Sequence, residues 1–182
     1  MGQYYKIIIL SDVKHTPEVI RVWICPSTYR TESYSCGLKL VEHSYINSHP
    51  LKAIEELISP VGIFYKCRIV WAGDYADKEV DTNKNLYNMV DESKPFYYPP
   101  GKTKYRYLVN HTKNEYVDMD KVPNSIHPLP LLVSEGNGRG GGDYDGDNKE
   151  LCGKWARDII SFDDIIMDDY KELIPNFGYI IL

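Results

Sequence analysis

Apolar residues come in short runs in this chain, and that feature narrows the fold more than any other. Residues 4–10, 19–25 and 67–72 are each rich in aromatic and β-branched side chains, the composition of strands. Polar punctuation closes them: Ser11-Asp12 ends the first run and Gly73-Asp74 the third. A connection through Asp12, Lys14 and Pro17 makes 19–25 the expected partner of 4–10. Residues 105–110 and 115–118 read as a hairpin turning through 111–114. Further strands are expected at 131–134, 155–162 and 178–182.

Helical signals are fewer. Leu51, Ile54, Leu57 and Ile58 fall at helical spacing, with Pro50 in the first turn, Ser48 as cap and 59–62 as the stop. Ile165, Ile166 and Tyr170 fit a short acidic helix, while the class of 38–41 stays open. Residues 78–104 break every period and predict a long loop excursion with one helical turn at 86–89. Strand candidates outnumber helices and hairpin-length connections dominate. The expected fold class is therefore α+β, a mainly antiparallel sheet with a few short helices, in one domain over 1–182. At 182 residues the chain suits one domain and needs no metal or disulfide to hold it. The repeated W-A-x-D at Trp71 and Trp155 is too short to indicate duplication.

Composition removes several function classes. Apolar residues are 43% and charged residues 26%, which argues against disorder. A net charge of −5 excludes general affinity for nucleic acid. No apolar run is long enough for a membrane helix, so no membrane partner is expected. Residues 1–6 do not read as a signal peptide, and Lys6 breaks the myristoylation pattern that Met1-Gly2 begins. Cys25, Cys36, Cys67 and Cys152 show no C-x-x-C spacing, as expected of free thiols in a reducing compartment. Asn110-His111-Thr112 then matches a glycosylation site by chance. The expected location is cytoplasmic. The 16 tyrosines against four phenylalanines suit half-buried surfaces and ligand walls.

The segment 135–148 is the least ordinary and holds six of the 13 glycines. Gly136, Asn137, Gly138, Arg139, Gly140, Gly141, Gly142 and Asp143 offer backbone N–H groups for an anion nest, with Arg139 as a bidentate contact. The dinucleotide fingerprint matches in letters only, because acidic residues follow where an apolar helix belongs. Gly101-Lys102-Thr103 likewise lacks the first glycine of a P-loop, since Phe96 stands there. Asp143, Asp145 and Asp147 alternate like calcium ligands, but Asn148 and Lys154 occupy the EF-hand glycine and glutamate positions. A Ca²⁺ or Mg²⁺ site of another geometry stays open. A second candidate is the end of the 67–72 strand, which delivers Asp74, Tyr75 and Asp77. His43, after Glu42, is a candidate ligand contact or general base. Each has a plainer alternative: a solvated loop, a turn-capping Asp and a structural His.

Several motifs carry a resemblance: 1–6, 37–40 with Glu42-His43-Ser44, 71–77, 85–87, 109–113, 126–130 and 136–143. On these the chain resembles a family of hypothetical proteins of bacteria and their phages. The resemblance implies a bacterial or phage cytosolic protein and brings no activity and no catalytic residues. Three functions follow as expectations. The first is a protein that binds or sequesters a small anionic, nucleotide-like ligand through the glycine-rich loop. The second is a metal-dependent hydrolase using Asp74, Asp77, Asp143, Asp145 and Asp147, with His43 as base. The third is a protein–protein interaction module or inhibitor presenting 78–104 to a host protein.

Overall fold

The computed structural model describes residues 3–33, 36–90, 94–123, 125–137 and 144–178. Its frame is one mostly antiparallel sheet of eight strands. These are β1 (Tyr5–Leu10), β2 (Ile20–Ile24), β3 (Cys67–Gly73), β4 (Tyr107–Asn110), β5 (Glu115–Asp118), β6 (Ser134–Glu135), β7 (Ile159–Asp163) and β8 (Lys171–Glu172). The order across the sheet is β2-β1-β3-β7-β4-β5-β8. The α+β class with a mainly antiparallel sheet is what the apolar pattern predicts. The 4–10 with 19–25 pairing and the 105–118 hairpin both form, within a residue or two of expectation.

β1 and β3 lie in the middle and are buried along their whole length. That explains their near-continuous apolar sequence: both faces of the sheet are covered here. Tyr5, Ile7, Ile9, Ile69 and Trp71 point into the larger core, beneath helices α1 (His49–Leu57) and α3 (Pro128–Leu132). Ile8, Leu10, Val70 and Ala72 point to the other face, which Leu86 of α2 (Leu86–Met89) and Trp23 cover. α2 is the single helical turn expected inside the 78–104 excursion, capped by the Asn85 side chain accepting from the Asn88 amide. α1 also forms where its spacing predicts. Ser48 occupies the cap position, but its hydroxyl donates to the His43 carbonyl instead of capping the helix.

Four expectations need correction. Residues 131–134 do not form a strand: α3 occupies 128–132, and only Ser134 and Glu135 pair, parallel to the end of β3. Both prolines fall in the first turn of α3, where no amide donor is lost, and the His127 ring caps it by accepting from the Leu129 amide. The 155–162 strand begins only at Ile159, because 153–158 turns tightly. No helix forms over 165–170, where Ile165 and Met167 are exposed and find nothing to pack on. Gly178 is not in a strand, and 179–182 lie outside the described residues; β8, at Lys171–Glu172, joins the far edge instead.

The edge of β3 away from β1 has two neighbours. β7 pairs antiparallel with Cys67 and Arg68, and β6 pairs parallel with Trp71 and Ala72. Arg157 sits at this junction with φ 68°, its amide donating to the Ile69 carbonyl at 2.9 Å. A left-handed arginine is uncommon. Here it turns the chain out of 153–156 and directs its side chain towards the face that carries Arg68. Among the described residues, no helix is long and apolar enough to cross a membrane.

Candidate functional site

Among the described residues, those singled out from sequence do not converge. His43 ends a 3-10 turn (Val41–His43) and is fully buried. Its Nε2 accepts from Trp71 Nε1 at 2.8 Å, and Nδ1 lies 3.3 Å from the Gly37 carbonyl, to which it donates. Burial pushes its pKa down to about 4. The ring is a neutral core group with both nitrogens occupied, which leaves nothing for a ligand or a general base to use. Asp74 fastens the chain end: Oδ1 accepts from the Tyr4 amide at 3.1 Å, and its carbonyl accepts from the Asn85 side chain at 2.9 Å. Tyr75 and Asp77 are exposed beside it.

Of the glycine-rich segment, Gly136 is buried and Asn137 exposed, while residues 138–143 lie outside the described residues; these include Arg139 and Asp143. Asp145 is exposed and bound to Lys149 at 2.7 Å. Asp145, Asp147 and Glu150 line an open hollow beside Gly178. Among the described residues, no three His, Cys, Asp or Glu side chains gather as a metal site would require.

A different site is assembled from residues that sequence reasoning passed over. Arg68 breaks the apolar run of β3 at its second position, facing away from the larger core. A buried guanidinium is costly unless paired. Its partner is Glu18, just before β2, held by two bonds of 2.9 and 2.7 Å, with both side chains buried. Arg68 also donates to the carbonyls of Ser11 and Arg157. Burial alone would raise the Glu18 pKa, but the Arg68 hydrogen bond and charge outweigh it and hold the carboxyl below its usual range.

Arg157 carries the second half. Its guanidinium binds Glu135 through Nε and one terminal nitrogen, at 2.7 and 2.8 Å. Its other edge grips Glu79, with one bond of 3.1 Å and a second, shorter one. Glu18 lies 4.0 Å away. Burial opposes the charge on Arg157, but the hydrogen bonds to Glu135 and Glu79 raise its pKa further above an already high value. Glu79 belongs to a tight turn at 79–84, closed by the Glu79 amide donating to the Lys84 carbonyl and by Thr82.

Above this network opens a cleft of about 550 Å³, within the range of small-ligand sites. Glu18, Arg68, Glu79 and Arg157 contribute to it, with Asp158, Thr112 and Ile159 to one side. Asp12, Lys14, His15, Thr16, Lys78, Val80 and Ala156 complete the lining. Asp158 accepts from Asn110 at 2.8 Å and from Lys113, both through Oδ2. Asp12 is paired with Arg21 at 3.2 Å. The side chains of Lys14, His15 and Lys78 have no hydrogen-bond or ion-pair partner among the described residues.

A Ser–His–Asp cluster lies further along the same sheet face. His111 Nε2 is 2.7 Å from Ser161 Oγ, Ser161 donates to Asp163, and the Tyr170 hydroxyl is 3.0 Å from His111 Nδ1. With the serine proton given to Asp163, the imidazole must donate to Ser161 and accept from Tyr170. A nucleophilic serine needs the opposite polarity, with histidine accepting its proton. Ser161 is also fully buried. Burial and nearby Lys66 lower the His111 pKa, against the pull of Asp163, which favours this neutral tautomer. The cluster braces β7 against the hairpin turn.

No family model, curated protein or solved structure matches this chain. The one local signal for the cleft was Arg68, a charge inside an apolar run. Its partner Glu18 is 50 residues away, and Arg157 and Glu79 are 78 apart.

Proposed function

We propose that this protein binds a small anionic ligand in the cleft framed by residues 12–18, 78–80 and 156–159. The observation that carries this reading is the set of exposed basic side chains at the cleft mouth: Lys14 and Lys78, with the His15 imidazole beside them, none spent on a partner among the described residues. The guanidiniums deeper in are saturated by carboxylates and backbone carbonyls and hold the walls. The free ammonium groups at the rim are what an incoming phosphate or carboxylate would meet. Among the described residues, no Phe, Tyr or Trp lines the cleft. A nucleobase would have no stacking wall there, so the reading concerns the anionic group rather than a nucleotide as a whole.

Titration calorimetry with inorganic phosphate, pyrophosphate and citrate tests it. The double variant Lys14→Ala/Lys78→Ala is expected to bind the best of these roughly tenfold or more weakly, as the loss of charge-assisted contacts implies. Its Tm should stay close to that of the parent, because both side chains are exposed. Equal affinity in parent and variant, or no binding of any of the three anions, would overturn the reading.

A further inference from the structure

We infer that the ligand of this cleft is a zwitterion, with its anionic group at the mouth and an ammonium group at the floor. The inference rests on the anion-binding reading above and adds a second pole to it.

Charge is sorted by depth. The uncommitted groups at the mouth are cations, Lys14 and Lys78 with His15 beside them. At the floor, two guanidiniums, Arg68 and Arg157, meet three carboxylates, Glu18 and Glu79 in the lining and Glu135 behind it. One negative charge is left in excess among groups that are nearly all buried. Such an excess is costly without a counter-charge. The arginines cannot supply more: Arg157 has Glu79 on one edge and Glu135 on the other, while Arg68 is engaged by Glu18 and two carbonyls. The carboxylates can accept more. Each Glu79 oxygen accepts one bond from Arg157, and Asp158 accepts only through Oδ2, leaving Oδ1 uncommitted. A carboxylate oxygen accepts about two bonds. Glu79 and Asp158 both line the cleft. A purely anionic molecule would satisfy the mouth and be repelled by the floor; a purely cationic one would do the reverse. A molecule bearing both groups satisfies each. A volume of about 550 Å³ accommodates an amino acid or an aminoalkyl phosphate.

The experiment is titration calorimetry on the full chain with two matched series. One is O-phosphoethanolamine, methyl phosphate and ethylamine; the other is β-alanine, propionate and ethylamine. In at least one series the zwitterion is expected to bind roughly tenfold more tightly than the anion that lacks the ammonium group, the gain of one charge-assisted contact. Ammonium-free anions that match or exceed their zwitterions in both series would overturn the inference and leave the anion-binding reading standing. Binding of none of the anions would remove both. Glu79→Gln then tests the floor. It should erase the zwitterion advantage while binding methyl phosphate more tightly than the parent, a gain that a damaged fold would not give. An advantage that survives in both Glu79→Gln and Asp158→Asn would likewise overturn the inference.

Discussion

His43 and Trp71 lie 28 residues apart and meet in the core. Viewed in sequence, a histidine after Glu42 is a reasonable general base. What decides its role is an indole N–H that only the fold brings to it, so no local pattern could have revealed it. The bond has a consequence for acid stability. Unfolded histidine titrates near about 6.5, whereas burial holds folded His43 at about 4. Between these values the unfolded chain binds a proton that the folded chain does not, so stability falls as pH drops from about 6.5 to about 4. His43→Phe should remove this contribution. At neutral pH it should cost about 1–3 kcal/mol, because Trp71 Nε1 is left buried without an acceptor. Its stability should then decline less steeply on acidification than the parent's. Some slope will persist, since the folded pKa of His111 is lowered too, mainly by burial. Urea titrations of both proteins across this range check the point, and parallel slopes would refute it.

Elements were legible where a local pattern has one physical reading. The hairpin over 105–118 is two short apolar runs around a polar turn, and α1 has apolar residues at helical spacing. The run after His127 has no such reading. Leu129, Leu131, Leu132 and Val133 are all buried, so neither a period of two nor one of 3.6 emerges. The signal that settles it is the His127 ring, whose Nδ1 accepts from the Leu129 amide while Nε2 donates to Glu55 at 3.0 Å. The first bond starts α3, and the second ties it to α1. His127→Ala should therefore cost about 1–3 kcal/mol, combining a lost cap with a lost buried partner. His127→Asn should recover part of that, since asparagine caps well but is too short to reach Glu55 in the same way. Equal melting temperatures for the two variants would show that the cap contributes nothing. The absent helix at 165–170 makes the complementary case: a short acidic segment with exposed Ile165 and Met167 has no packing to support it, and short helices are marginal alone.

Across the whole molecule, the cleft was illegible because it is made of long-range pairs. The glycine-rich segment drew attention by composition, whereas Glu18, Arg68, Glu79, Glu135 and Arg157 are ordinary residues until the sheet brings them together. They join the approach to β2, the middle of the sheet, the start of the 78–104 excursion, β6 and the turn before β7. Such a network holds these segments in one arrangement only while each arginine keeps its carboxylate partners. Breaking a buried pair from one side leaves the other charge stranded, which typically costs about 3–5 kcal/mol. Replacing both partners with apolar residues of similar volume is often close to neutral. Arg68→Met should accordingly be severely destabilising, because Glu18 is left buried with Arg157 no nearer than 4.0 Å. Adding Glu18→Leu should restore most of the loss. The restored protein should still bind anions at Lys14 and Lys78 if those two side chains, rather than the floor, supply the contacts. Denaturant unfolding of both single variants and the double variant gives the coupling energy directly. Additive losses, with the double variant worse than either single one, would mean that Glu18 and Arg68 act independently and that the floor of the cleft is not one connected unit.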